Sequence, residues 1–388
     1  MFFGATLPTP LYPLYREAFG FGGVTLTLIY AVYVLGNLAA LFIFGRLSDQ
    51  LGRRRATLPA IAIGIVSALV FGFAQNVAWL FAARGLSGFA TGLASGAATA
   101  WISELQPRAG QGKGQGKGAV TASAANFTGL AVGPLVAGAL ARFAPWPMKL
   151  SYFAYISMLV VIGGAIWGAP ETVARPVGRW RDLSLRPRLG VPSDILLRFV
   201  SPAVTAFVTF ALIGFYAALI PSLLAESLHE KSPLVAGGIV FELFTVAALT
   251  TVLAGELRSR TAMLSSLALF PPCVALLVWA ELSRSMTLLL AAAAAAGVAG
   301  SLGYRGSLEV VNSIAPAEHR GEVVSSYLLA VFAGNSLPVI GIGLLSATAN
   351  AATAHIAFAV VITLLAIAGL IVGGKYAPGA EGLSPPRR

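Results

Sequence analysis

A few charged residues stand inside stretches that are otherwise long and apolar enough to cross a bilayer: Arg84, Glu242, and the pair Arg305 and Glu309. A charge in hydrocarbon is costly, and it is retained where it meets a partner, a wet cavity or a moving ion. The chemistry open to such groups is the uptake and release of a proton. Glu242, one third of the way along its apolar run, is read either as a proton acceptor or as an acid paired for packing. Arg84, about one and a half turns into its run, serves proton translocation or snorkels to the nearer interface. Arg305 and Glu309 are spaced i,i+4 near the end of theirs, which suits coupling or an interfacial pair. Glu104, close to the end of another run, reads as loop-facing. Cys273 is alone, so no intramolecular disulfide forms, and His229, His319 and His355 are scattered without metal-ligand spacing.

The elements that must position these groups follow from composition. Of 388 residues, 57% are hydrophobic and 11% charged, and the mean hydropathy is +0.82. That is too little charge to cover a soluble globule. A net charge of +11 would suit nucleic acid only with the basic residues on one solvated face. Here they sit in short gaps between apolar runs, so no nucleic-acid partner is expected.

A helix needs about 20 apolar residues to span the hydrocarbon. Eleven runs qualify: 23–44, 57–75, 78–101, 119–141, 150–169, 199–224, 234–254, 262–280, 286–308, 323–347 and 353–373. A twelfth, Met1 to Tyr15, is short and carries Pro8, Pro10 and Pro13. It reads as the outer part of a truncated first helix rather than a signal peptide, because no basic segment precedes it. Lys and Arg concentrate in the gaps 45–56, 102–118, 170–198, 255–261 and 309–322 and in the tail, whereas the alternate gaps hold only Arg16, Arg142, Lys149, Lys231 and Arg284. The positive-inside rule makes the first set, and the C-terminus, cytoplasmic.

The Arg- and Pro-rich gap after Ala169 divides the spans six and six. Gly45-Arg46-Leu47 recurs as Gly255-Glu256-Leu257, and Pro134 recurs as Pro338. The expected organisation is an all-α membrane protein of two pseudo-symmetric six-helix bundles, 1–169 and 199–374, with a central loop 170–198 and a tail 375–388.

Three motifs carry a family likeness. Gly45-Arg-Leu47-Ser-Asp49-Gln-Leu-Gly52-Arg53-Arg54 resembles motif A of the major facilitator superfamily, with Gln50 where a basic residue is usual. The resemblance implies that Asp49 latches the two halves by meeting the N-terminus of the eleventh helix, and Ser259 in the second copy makes that latch asymmetric. Arg84-Gly-Leu-Ser-Gly88 is similar to motif B of proton-coupled members, and Gly129, Gly133-Pro134 and Gly138 to motif C of the antiporters, with Ala137 in place of a glycine. The resemblance covers nearly the whole chain. It implies a monomeric, non-enzymatic secondary transporter in a bacterial inner membrane, working on a small molecule without a cofactor and driven by a proton gradient. Export of an amphipathic compound and import of a sugar or other metabolite are both open, and the different-class alternatives are a non-transporting receptor and a truncated inactive paralogue. No G-x-x-x-x-G-K-[ST] motif supports an ATP-driven pump. Asn37, Asn126, Tyr304 and Asn335, polar groups within spans, are expected to face other helices or a cavity.

Overall fold

The computed structural model describes residues 1–44, 51–105, 117–173 and 189–377, and among them every regular element is helical. The chain opens with α1 (Phe2–Thr6), a 3-10 turn (Thr9–Leu11) and α2 (Tyr12–Phe19), which ends at Gly20 with φ 67°. The breaks fall around Pro8, Pro10 and Pro13, whose missing N–H groups interrupt the helical ladder. Eleven long helices follow: α3 (Gly23–Phe44), α4 (Arg53–Gly72), α5 (Val77–Leu105), α6 (Lys117–Phe143), α7 (Leu150–Trp167), α8 (Leu196–Glu226), α9 (Pro233–Leu253), α10 (Ser259–Leu282), α11 (Met286–Ile314), α12 (Arg320–Thr348) and α13 (Ala351–Tyr376). Each is long and apolar enough to cross a membrane, and helices satisfy every backbone group internally where no water is available. Pro134 and Pro338 sit inside α6 and α12 without ending them. α4 starts at Arg53 rather than at 57, because the Glu171 side chain receives the N–H groups of its first turn.

The helices gather into two compact units, Met1–Pro187 with Tyr216–Ala248, and Arg188–Phe215 with Leu249–Arg388. α8 and α9 thus contribute residues to both. The sequence repeat and these packing units are different partitions of the chain, the one made by counting helices and the other by contact.

Duplication is visible in the packing of each unit. In the first, Arg54 Nη1 donates to the carbonyl of Trp167 at 3.1 Å; in the second, Arg260 Nη2 donates to the carbonyl of Gly374 at 2.8 Å. Each bond ties the start of one helix to the last carbonyls of another, α4 to α7 and α10 to α13. Similarly, a Cβ at Gly133 would collide with the Phe3 carbonyl, and one at Gly334 with the Phe207 carbonyl. Phe3 and Phe207 are 204 positions apart, the same offset as Pro134 and Pro338, while the two glycines are 201 apart.

Candidate functional site

Of motif A, Gly45, Leu47 and Asp49 lie outside the described residues. Gly52, Arg53 and Arg54 do not, and they build the start of α4. Gly52 adopts φ 104°, and a Cβ there would meet the Glu171 carboxylate at 2.6 Å. That carboxylate accepts the N–H of Arg53 at 2.8 Å on one oxygen and the N–H of Arg54 at 3.1 Å on the other. A distant acid therefore caps α4 and faces the positive end of its dipole. Partial burial alone would push the Glu171 carboxyl up, but the N–H groups of Arg53, Val173, Arg54 and Thr172 outweigh it and hold it below 4.5. Arg53 also clasps Glu104 on α5, with Nη2 at 2.6 Å and Nε at 3.3 Å, and Thr172 Oγ1 donates to the same carboxylate. Glu104 thus joins the first residue of α4 to the segment that follows α7. Trp101 Nε1 adds a bond of 3.1 Å to the Pro170 carbonyl.

Arg84 is fully buried, which corrects the snorkelling reading. Its Nε and Nη2 donate to the Tyr12 hydroxyl at 2.9 and 2.5 Å, and Nη1 donates to the Ala5 carbonyl at 2.7 Å. Its guanidinium lies 5.2 Å from the Tyr33 ring centre and 5.6 Å from those of Tyr12 and Tyr30, within cation–π range. Among the described residues no carboxylate is within ion-pair reach. The sequence builds this cage in two ways. Gly88 and Gly92 let α5 lie against the backbone of α3 at Tyr33 and Asn37, where any Cβ would collide, and this brings the α3 tyrosines to Arg84. The proline-broken opening segment leaves the Ala5 carbonyl without a following helical turn, so it is available to an outside donor.

Glu242 stands on α9 in the first unit, half-buried, with Oε2 shielded from solvent and without a hydrogen-bond partner among the described residues. The motif C residues pack beside its helix. A Cβ on Gly138 would collide with the Pro233 carbonyl, and one on Gly237 with the Pro134 carbonyl, while Phe127 and Phe244 stack at 6.3 Å. The other two glycines face the opening segment: Gly129 meets Phe2, and Gly133 meets Phe3 and Thr6, whose hydroxyl donates to the Leu130 carbonyl at 2.9 Å.

Arg305 pairs with Glu309 at 3.0 Å, and its Nη groups donate to the carbonyls of Ala254 and, at 2.5 Å, Leu257. It thereby closes the exposed carbonyl end that follows α9. Asn37 is buried on α3 with Oδ1 unpartnered among the described residues, Asn126 is half-buried on α6, Asn335 is buried on α12 beside Gly214, and Tyr304 packs edge-on to Phe210 at 5.5 Å. Asn37 and Asn126 thus belong to the first unit and Tyr304 and Asn335 to the second.

Sequence reasoning passed over Tyr12, Glu171 and Glu281, and it assigned no partner to Glu104 or His355. Glu104, Glu171, Glu281 and His355 had a common signal, since each is a charged or imidazole group within three residues of the limit of an apolar run.

A membrane-embedded helical chain with these buried charges and glycine contacts defines a polytopic membrane protein of the transporter type. The family model of the Major Facilitator Superfamily matches residues 1–261, and the chain belongs to that superfamily. It is 29% identical over 144 residues to an uncharacterised MFS-type transporter of Mycobacterium tuberculosis, covering 37% of this chain and 20% of the relative. It is 27% identical over 142 residues to Multidrug resistance protein 2 of Bacillus subtilis, covering 37% and 34%. It is 36% identical over 102 residues to the facilitated glucose transporter member 10 of solute carrier family 2 in Mus musculus, covering 26% and 18%. The matched stretch thus spans about a fifth to a third of these curated relatives.

Proposed function

We propose that the chain is a secondary active transporter that exchanges protons for a small amphipathic compound, exporting it by alternating access between two six-helix halves, 1–169 and 199–374. The observation that carries this reading is the buried Glu242 oxygen without a donor, in the same unit as the uncompensated Arg84. A proton, or an N–H group of a substrate, supplies what that oxygen lacks. The glycine contacts of motif C support the antiporter branch, as does similarity to a relative named for multidrug resistance. In this scheme the motif A acid, Asp49, is the latch. The basic gaps and the C-terminus face the cytoplasm of a bacterial inner membrane, and the protein works as a monomer with no cofactor beyond the proton gradient.

The test is transport by protein reconstituted in liposomes under an imposed pH gradient, using a substrate first found by thermal-shift screening of drugs, sugars and amino acids. Export predicts substrate-dependent proton counterflow that Glu242→Gln abolishes while substrate binding persists. Counterflow unchanged in Glu242→Gln would sink the assignment. Wild-type transport in a correctly inserted Asp49→Asn protein would remove the latch. The second reading, import of a sugar or other metabolite, is favoured by the similarity to a facilitated glucose transporter, and proton and substrate moving in the same direction would establish it.

A further inference from the structure

α10 and α13 run antiparallel within the second unit. The bond from Arg260 to the Gly374 carbonyl fastens them at one end, and Glu281 Oε2 with His355 Nδ1, at 2.8 Å, fastens them at the other. Between the fastenings their exposed faces part and leave a groove of about 410 Å3 that reaches Leu282, the last residue of α10. On α10 its wall follows the i, i+4, i+5, i+8 spacing of one helix face: Val274, Val278, Trp279 and Leu282. Val274 is buried and forms the floor, whereas Trp279 and Leu282, with Leu364 opposite, are 60%, 63% and 62% exposed and form the rims. The small side chain of Ala359 keeps the groove open from the α13 side, and every lining residue except Thr363 is apolar. From Val274 to Leu282 the groove rises about 12 Å, close to the roughly 15 Å of hydrocarbon in one leaflet.

A cation stands where the groove reaches the end of α10. Arg284, two residues past Leu282, is exposed and has no ion-pair partner among the described residues. Its N–H donates to the Glu281 carbonyl at 3.1 Å, and that of Ser285 to the Ala280 carbonyl at 3.0 Å, so the turn folds back onto the last turn of α10. Glu281, the one acid on α10, is buried and meets His355. Arg284 also holds φ 51°, a left-handed conformation that glycine adopts freely and a long side chain adopts at a cost. An arginine placed against the preference of the backbone implies a use for its side chain.

We propose that this groove binds one anionic phospholipid of the surrounding bilayer, with an acyl chain between α10 and α13 and the phosphate on Arg284. The groove is apolar over the depth of one leaflet, and its single neighbouring charge is positive and at its surface end. The guanidinium fork matches phosphate oxygens, and Trp279, one turn before the helix end, sits at the level where indole rings favour the membrane interface.

The experiment uses the full chain, purified and delipidated in detergent, and reads neither substrate nor transport, so it stands or falls separately from the coupling role of Glu242. Phosphatidylglycerol and phosphatidylcholine, each brominated on the acyl chain, are titrated in, and quenching of Trp279 is taken as the difference between the wild type and Trp279→Phe. The anionic lipid is expected to reach half-quenching at an about five-fold lower concentration. Arg284→Gly, which relieves the turn, should abolish that preference while both lipids still quench, and Ala359→Phe, which fills the groove, should weaken quenching by both. Should Ala359→Phe not fold, Ala275→Phe fills the groove from the opposite wall. Equal half-quenching concentrations in the wild type, a preference that survives Arg284→Gly, or quenching unchanged in the filled groove would each overturn the site. A dimer that the filling substitution dissociates would give the groove to a second copy and overturn it as well.

Discussion

Two nitrogens of Arg84 converge on one oxygen, the hydroxyl of Tyr12, at 2.9 and 2.5 Å. The hydroxyl is neutral, so the arginine keeps its charge while it is shielded from lipid by three rings and a carbonyl. Such an arrangement orders the guanidinium without cancelling its charge.

Tyr12→Phe removes the acceptor and keeps the ring. Hydrogen bonds to charged groups contribute about 1.5–3 kcal/mol each, so the variant should unfold several degrees below the wild type in a detergent thermal ramp. A Phe variant as stable as the wild type would mean that the Ala5 carbonyl and the rings suffice to hold Arg84.

The contact between α3 and α5 should tolerate no side chain at Gly88, where a Cβ would collide with the Tyr33 carbonyl, whereas Gly164 and Gly374 have open space. Gly88→Ala is expected to lower the yield of monodisperse protein in size-exclusion chromatography, with Gly164→Ala and Gly374→Ala close to wild type.

Glu171 should set an acid limit to stability. Its carboxyl titrates below the ordinary 4.5 when folded, so its contribution is complete above that pH and disappears as pH falls through the lower folded value. The wild type should lose stability down this limb, and Glu171→Gln should begin less stable at neutral pH and fall less steeply. Parallel acid limbs for the two proteins would remove Glu171 from the α4 cap.

Arg54→Ala and Arg260→Ala remove corresponding bonds in different units. Because the sites share no partner, their effects on unfolding temperature should add. A combined shift much larger or smaller than the sum would reveal coupling between the two.

The sequence made the helices legible because an apolar run of membrane length has one economical outcome in lipid. Their ends were less so. The start of α4 is fixed by Glu171, more than a hundred positions away, and no local pattern announces such a cap. Arg84 was recognised as unusual, yet its burial depended on two facts that only packing reveals: the glycine stripe of α5 drawing in Tyr30 and Tyr33, and a proline-broken turn offering the Ala5 carbonyl. His355 and Glu281 were unremarkable apart because 74 positions separate them.

The bonds from Arg54 to Trp167 and from Arg260 to Gly374 have a consequence for chain continuity. Each closes a loop of polypeptide lying wholly on one side of the stretch between Val173 and Leu189. Cutting the backbone within that stretch severs neither closure. Two fragments made from separate messages should therefore each retain their own fastening, Arg54 to Trp167 in the one and Arg260 to Gly374 in the other.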